Sequence, residues 1–343
     1  MTSDAITEGA PPPGLGAGLR DSYIFRTIVR RMLLGVLTLF LVSIVVFAAT
    51  QLLPGDAARA VLGRDATPQR LAAFRAQFHL NHSAVSQYWA WLSGLLEGNP
   101  GTSLANGLPV WSTVQPRIVN SLYLLVVVGV VGVPLSLGLG IWAALRRDKP
   151  FDHATSTITL AAAALPEFVV AIALIIVFAT VVLQVLPPVS LVAPGTSVWS
   201  EPDVLVLPVA TLTIAVVPYI YRMARGTMIE VLESEYIEMA RLKGTPRRAL
   251  LLRHALPNAL APTVQAIALT FAYLAGGVVV VEYVFGYPGI GQGLVNAVSA
   301  RDLPTIQLIV LLLAAFYVAV NILADVVAIM ATPKLRTTSW RRT

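Results

Sequence analysis

The side chains with the clearest chemical potential are three polar residues inside long apolar stretches. Glu167 follows Pro166 in the stretch 155–186, and Asn321 and Asp325 lie four residues apart in the stretch 303–330. A charged group within a membrane is costly, so Glu167 predicts a functional role. A structural alternative stays open. In that case the helix breaks at Pro166 and the carboxylate bonds the freed backbone, or it lies near an aqueous path without binding anything.

Asn321 and Asp325 are spaced to share one face of a helix. Polar residues between membrane helices commonly bond neighbouring helices, so a structural role is favoured over a proton relay. Arg side chains near the inner end of that helix are further candidate partners. We nevertheless keep Glu167, Asn321 and Asp325 together as candidates for a translocation path.

The sequence lacks the residues that several other common chemistries require. The chain has no cysteine, which excludes thiolate metal sites, iron–sulfur clusters and cysteine nucleophiles. It contains no GxxxxGK[ST] loop, so we do not expect it to bind ATP phosphates through such a loop. The histidines form no HExxH motif and are interpreted as ordinary loop residues: His79, His82, His153 and His254. We therefore predict neither catalytic residues nor a metal site.

The elements that carry these residues are predicted to be membrane-spanning helices. Of the 343 residues, 56% are hydrophobic and only 12% are charged, about half the charge of a typical soluble domain. The mean hydropathy is +0.75. A helix crosses a bilayer with about 20 mostly apolar residues. Six stretches satisfy this requirement: 32–50, 121–145, 155–186, 204–222, 259–281 and 303–330.

The distribution of lysine and arginine predicts the orientation. With the N-terminus in the cytoplasm, the inner segments hold 18 of these residues and the outer segments hold 6. Cytoplasmic loops carry the excess of positive charge, so both termini are expected in the cytoplasm. The tail 1–25 has no apolar periodicity and is predicted to be disordered.

Two segments between spans are longer than a helical bundle needs. In the outer segment 51–120, a helix is predicted around 68–80, and tryptophans follow it. An amphipathic stretch at the membrane interface is favoured there over a docking surface for an external partner. A glycine-rich stretch predicts a turn or re-entrant segment near the outer gate; its glycines are Gly286, Gly289, Gly291 and Gly293. Glu282 beside them is expected to be interfacial.

The inner segment 222–258 carries the most informative pattern. Ser234 is placed to cap a short helix over 235–243, and Gly244 suits the left-handed residue that ends it. Thr245 then caps a second helix that has Pro246 at its first position. The segment therefore predicts a cytoplasmic two-helix hairpin that another protein could grip.

At this point the chain resembles a known family. One pattern begins with Glu238-Met239-Ala240, continues through three residues to Gly244, and reaches His254 nine residues later, followed by one residue and Leu256-Pro257. Its spacing matches that of the Glu-Ala-Ala motif in permeases of bacterial ABC importers. Met239 and His254 depart from the usual alanine and isoleucine. Further segments resemble the dipeptide/oligopeptide (DppB/OppB-type) group over roughly 26–336: Leu53-Pro54-Gly55-Asp56, Arg253–Ala259, Val281–Gln292, and Pro333-Lys334.

The resemblance implies an all-α type I importer permease with six spans, a permease domain over 26–336 and a cytoplasmic tail over 337–343. It implies a bacterial inner-membrane protein that imports peptides delivered by an extracytoplasmic binding protein. Dipeptides, longer peptides, glutathione, haem and nickel complexes all stay open as substrates. The implied partners are membrane lipid, a second permease (DppC/OppC-type) and one or two ATPase subunits (DppD/DppF or OppD/OppF-type), which bind ATP and Mg. No nucleic acid partner is implied.

The resemblance also assigns roles to the inner hairpin, whose movement would couple the ATPases to the spans. The residues implied in coupling are Glu235, Glu238, Ala240, Lys243, Gly244, His254, Leu256 and Pro257. In a peptide importer, Glu167 could meet a substrate amine. The alternative function is a secondary transporter or channel acting alone, which does not explain the patterned hairpin.

Overall fold

The computed structural model describes residues 15–52, 56–78, 80–192 and 198–331, and helices form nearly all of their regular structure. The prediction of an all-α chain is confirmed. The helices are α1 (Leu15–Gln51), α2 (Ala57–Leu62), α3 (Pro68–Gln77), α4 (Ala84–Leu96), α5 (Val110–Leu145), α6 (Pro150–Ala164), α7 (Glu167–Leu174), α8 (Asp203–Leu232), α9 (Glu235–Leu242), α10 (Arg247–Ala249), α11 (Leu256–Phe285), α12 (Ile290–Ala300) and α13 (Leu303–Ala331). Ile175–Thr180 and Leu250–Ala255 are π-helical.

The first helix begins earlier than the sequence pattern predicts. Helix α1 starts at Leu15, whereas the tail predicted to be disordered extends to residue 25. No proline follows Pro13 before the span, so the helix can extend outward, although Gly16 and Gly18 disfavour it there. The rest of that predicted tail, residues 1–14, lies outside the described residues. So do 53–55, His79 and 332–343, with Pro333, Lys334 and the predicted C-terminal tail.

The described part of the chain offers five membrane crossings, or six if one bent pair of helices counts as a span. Five helical segments are long and apolar enough to cross alone: Phe25–Gln51, Val110–Leu145, Asp203–Leu232, Pro262–Phe285 and Leu303–Val327. The sixth is the pair α6 and α7 with the π-helical Ile175–Thr180, bent by 105°. Leu165, directly before Pro166, has extended backbone angles of φ −90° and ψ 128°. Proline disfavours a helical conformation in the preceding residue, which explains the bend.

Helix α8 is the centre of the bundle. It packs on α5 and α11, while α13 packs on α11 and α1 lies outermost against α13. The largest hydrophobic core contains Leu124, Leu212, Ile220 and Leu274, all nearly inaccessible to solvent. Gly140 of α5 permits a close approach, because an added Cβ would lie 2.8 Å from the Tyr221 carbonyl oxygen of α8. Small residues at such contacts let two membrane helices approach closely.

The outer segment is attached to the bundle at two places. Tyr88 of α4 packs edge-on against Phe47 of α1, and its hydroxyl lies 2.9 Å from the hydroxyl of Ser43. Farther along, the carboxylate of Asp302 accepts hydrogen bonds from the Ser103 hydroxyl (2.5 Å) and the Leu104 amide (2.9 Å). The predicted amphipathic helix around 68–80 is α3. The segment therefore lies folded against the C-terminal end of α1 and the N-terminal end of α13.

Candidate functional site

The inner hairpin of the structure consists of α9, a sharp turn and α10 with the π-helical Leu250–Ala255. Ile237 of α9 is fully buried and packs with Met228, Leu250 and Ala255. The opposite face of α9 is apolar but exposed. Tyr236, Met239 and Leu242 there have exposed fractions of 52%, 55% and 76%. A protruding apolar face beside charged residues is typical of a surface that binds another protein.

Gly244 makes the turn that holds the hairpin in shape. Its φ of +78° lies in the left-handed region, which costs little only for glycine and few other residues. The Thr245 amide donates to the Ala240 carbonyl (3.2 Å), and the Gly244 amide donates to the Arg241 carbonyl (3.0 Å). This pair of bonds is the Schellman arrangement that ends a helix. The left-handed glycine is therefore placed as the sequence predicts.

Three details of the hairpin differ from the sequence prediction. The Ser234 hydroxyl donates to the Val231 carbonyl at 2.6 Å and does not cap α9, because α8 continues to Leu232 and leaves that carbonyl within reach. Pro246, not Thr245, occupies the N-cap position of α10. The segment between the two long helices is shorter than 222–258, since α8 continues to Leu232 and α11 begins at Leu256.

The predicted coupling residues lie on this hairpin and its junction with α11. Glu235, Glu238, Lys243 and Gly244 are exposed, as is Pro257, while Ala240, His254 and Leu256 are half-buried. The Tyr236 hydroxyl lies 2.5 Å from Nδ1 of His254 and links α9 to the π-helical segment. π-Helical turns occur frequently at functional positions, where the extra residue per turn is tolerated.

A buried ion pair, which sequence reasoning missed, ties the bent span to α8 above the hairpin. Arg225 of α8 donates from Nε to one oxygen of Asp152 (2.5 Å) and from Nη2 to the other (2.7 Å). Asp152 at the start of α6 is only 1% exposed. The Tyr221 hydroxyl adds contacts to Thr155 (2.9 Å) and Ser156 (3.0 Å). The only available signal was an acidic residue in the first turn after Pro150.

We expect Asp152→Asn to destabilise the protein by about 2–3 kcal/mol, because it leaves the Arg225 charge without its bidentate partner. This range lies below that of a fully buried pair, since the Arg225 side chain is 28% exposed. Thermal denaturation of the purified protein measures the effect. Asp325→Asn is the matched control, because it breaks a pair whose side chains are 52% and 29% exposed. That control should cost about 1 kcal/mol or less, and equal losses would contradict the prediction.

The three candidate path residues do not lie together. Asp325 pairs with Arg31 at 3.1 Å across α13 and α1, and the Asn321 amide donates to the Tyr317 carbonyl of its own helix at 2.8 Å. These contacts support the structural role for both residues. Glu167 lies at the start of α7, beside Gly277 of α11. Of these three residues, only Glu167 has a side chain without a hydrogen bond or ion pair to the described part of the chain.

Glu282, expected from the sequence to be interfacial, lies inside the protein. Glu282 is fully buried, and its carboxylate accepts hydrogen bonds from the Ser121 hydroxyl (2.5 Å) and the Gly291 amide (2.6 Å). The Ser121 hydroxyl in turn accepts from the Ile290 amide at 2.8 Å. We call Ser121, Glu282, Ile290 and Gly291 the outer junction. Glycine at position 291 lets α12 come close enough to enclose the carboxylate, which sequence spacing alone does not reveal.

The comparisons with known proteins agree with this architecture. A family model described as a binding-protein-dependent transport system inner membrane component matches residues 136–337. A second model, for the N-terminal part of such membrane components, matches residues 24–124. Together they cover most of the described chain, including the inner hairpin and the outer junction.

Individual relatives match over almost their whole length. A probable peptide ABC transporter permease protein of Sinorhizobium fredii is 34% identical over 311 residues, 90% of this chain and 98% of that protein. The glutathione transport system permease protein of Escherichia coli (strain K12) is 34% identical over 309 residues, with the same coverage. The resemblance to ABC importer permeases is thereby confirmed. The chain belongs to the family of binding-protein-dependent transport system inner membrane components.

Proposed function

We propose that this chain is the permease subunit of an ATP-driven importer for peptides. The relatives at 34% identity are named as peptide and glutathione permeases, and glutathione is itself a modified tripeptide. As a member of this family the chain is a non-catalytic membrane subunit. Its partners are ATPase subunits, which bind ATP and Mg, and an extracytoplasmic binding protein. A second permease of similar fold completes the translocation path.

The exposed apolar face of α9 carries the proposal. Tyr236, Met239 and Leu242 project from the inner end of the bundle, while Ile237 fixes the helix from beneath. An ATPase that closes on ATP would push on this face. The α9–π-helix link between Tyr236 and His254 then passes the movement to α11. The alternative function that the sequence left open, a carrier acting alone, does not explain why the apolar face of α9 is exposed.

Both termini are proposed to lie in the cytoplasm, which places α9 on the cytoplasmic side and α4 on the outside. The hairpin can then reach the ATPases and the segment around α4 can reach the binding protein. The charge distribution along the sequence supports this orientation.

A single cysteine in α9 tests the contact and the orientation together. The natural chain has no cysteine, so every thiol product comes from the introduced residue. We expect Leu242→Cys to cross-link to an ATPase subunit, and to react with a membrane-impermeant maleimide only after the membrane is permeabilised.

Leu96→Cys is the matched control, because Leu96 is 82% exposed at the end of α4. It should react with the same reagent in intact spheroplasts and give no ATPase adduct. Labelling of the α9 cysteine from outside would refute the orientation. Absence of an ATPase adduct in the complete transporter would refute the coupling role of α9.

A further inference from the structure

Two tyrosines accompany Glu167 on an open face of the bundle. The rings of Tyr219 and Tyr273 lie 6.1 Å apart, centre to centre, at an angle of 45°. Each lies near the middle of a 30-residue helix, α8 and α11 respectively. Glu167 lies beside Gly277, which is one helical turn from Tyr273 on α11. Glu167, Tyr219 and Tyr273 therefore form one group beside the middle parts of α8 and α11.

The structure gives the Glu167 carboxylate space but no partner. A Cβ added to Gly277 would lie 2.9 Å from Oε1 of Glu167, so an added methyl group would shift the carboxylate at the end of this side chain. Within residues 15–52, 56–78, 80–192 and 198–331, the carboxylate has no hydrogen bond or ion pair. A carboxylate does not face lipid without a partner, so this face must meet water, a polar solute or another protein.

The tyrosine rings extend the same surface. Tyr219 and Tyr273 are 48% and 60% exposed, so their faces are available to a ligand. The face of an aromatic ring attracts cations, and a nearby carboxylate strengthens that attraction. An ammonium group fits both preferences, whereas an anionic group fits neither.

We propose that Glu167, Tyr219 and Tyr273 bind the terminal ammonium group of a peptide in transit. The inference rests on the proposed function, because it takes the substrate to be a peptide. Because these three side chains are partly exposed to solvent, they hold a cation weakly. Weak binding suits a site that the substrate must leave again. Gly277 is a positioning residue that keeps the carboxylate in its place.

Photo-cross-linking during turnover tests the site in the complete transporter. A benzophenone amino acid replaces Met223, one turn from Tyr219 and 41% exposed, so the three proposed residues stay intact. The transporter is reconstituted in vesicles with ATP and a binding protein loaded with a radiolabelled peptide. We expect a peptide adduct on this chain, reduced about fivefold by Glu167→Gln and largely kept by Glu167→Asp.

Two neighbouring glycines give a matched pair of variants. Gly277→Ala should lower the adduct as Glu167→Gln does, because the new methyl group displaces the carboxylate. Gly276→Ala should leave it unchanged, since a Cβ there meets no atom within 4 Å. Uptake by the unaltered transporter is measured alongside, and its absence would refute the proposed function itself.

With uptake intact, two results would overturn the inference. One is an adduct yield that is the same with Glu167, Glu167→Gln and Gly277→Ala. The other is an adduct to the second permease in place of the peptide, which would make this face a contact between permeases.

Discussion

Gly291→Ala should prevent the protein from reaching its native structure. A Cβ at this position would lie 2.3 Å from the Cα of Val279, a backbone atom that cannot move independently of α11. Helix α12 would have to shift and lengthen the 2.6 Å bond from its amide to the buried Glu282 carboxylate. Overpacking and the loss of that bond together cost about 4 kcal/mol or more.

Fluorescence-detected size-exclusion chromatography of the solubilised protein measures this effect, as loss of the monodisperse peak. Gly138→Ala is the matched control, because a Cβ on that α5 glycine meets no atom within 4 Å. Alanine also favours a helix over glycine. A Gly291→Ala protein that elutes and melts like the Gly138→Ala protein would show that the outer junction does not hold α12.

Gly244→Val should uncouple ATP hydrolysis from uptake. The left-handed φ of +78° costs an ordinary residue about 1–2 kcal/mol, and a β-branched residue more. The hairpin would abandon its turn, and α9 would no longer be held between the ATPase and α11. We expect about a tenfold fall in peptide transported per ATP hydrolysed, the factor that corresponds to about 1.4 kcal/mol.

Gly244→Asn separates backbone strain from side-chain volume. Asparagine tolerates the left-handed region, and a Cβ at this position meets no atom within 4 Å. The asparagine variant should therefore keep most of its coupling, as measured by simultaneous assays of uptake and phosphate release. If both variants transport equally well, the turn at Gly244 does not transmit the movement.

Local signals made the hairpin predictable. The end of α9 depends on Gly244 and its near neighbours, so the residues themselves specify the turn. The same is true of the bend at Pro166, because proline acts on the residue directly before it. The spacing from Glu238 to Pro257 added the family, which the two matching family models confirm.

Contacts between distant parts of the chain were not predictable in this way. Asp152 and Arg225 are 73 residues apart, and Ser121 and Glu282 are 161 residues apart. Each residue taken alone resembles an ordinary charged or polar residue near the end of a span. Only the packing of α6 on α8, and of α12 against α11, shows that these groups are buried.

The bend at Pro166 has a consequence for how the chain enters the membrane during synthesis. Helix α6 has 15 residues and a length of about 22 Å, less than the ~30 Å of the hydrocarbon layer. The part after the bend is equally short, so neither half is a sufficient stop signal for the insertion machinery. Helix α6 gains its buried ion pair only when α8 has been made and Arg225 can reach Asp152. We therefore expect the position of this bent segment to be fixed late, after a residue that the ribosome adds about sixty positions beyond the bend.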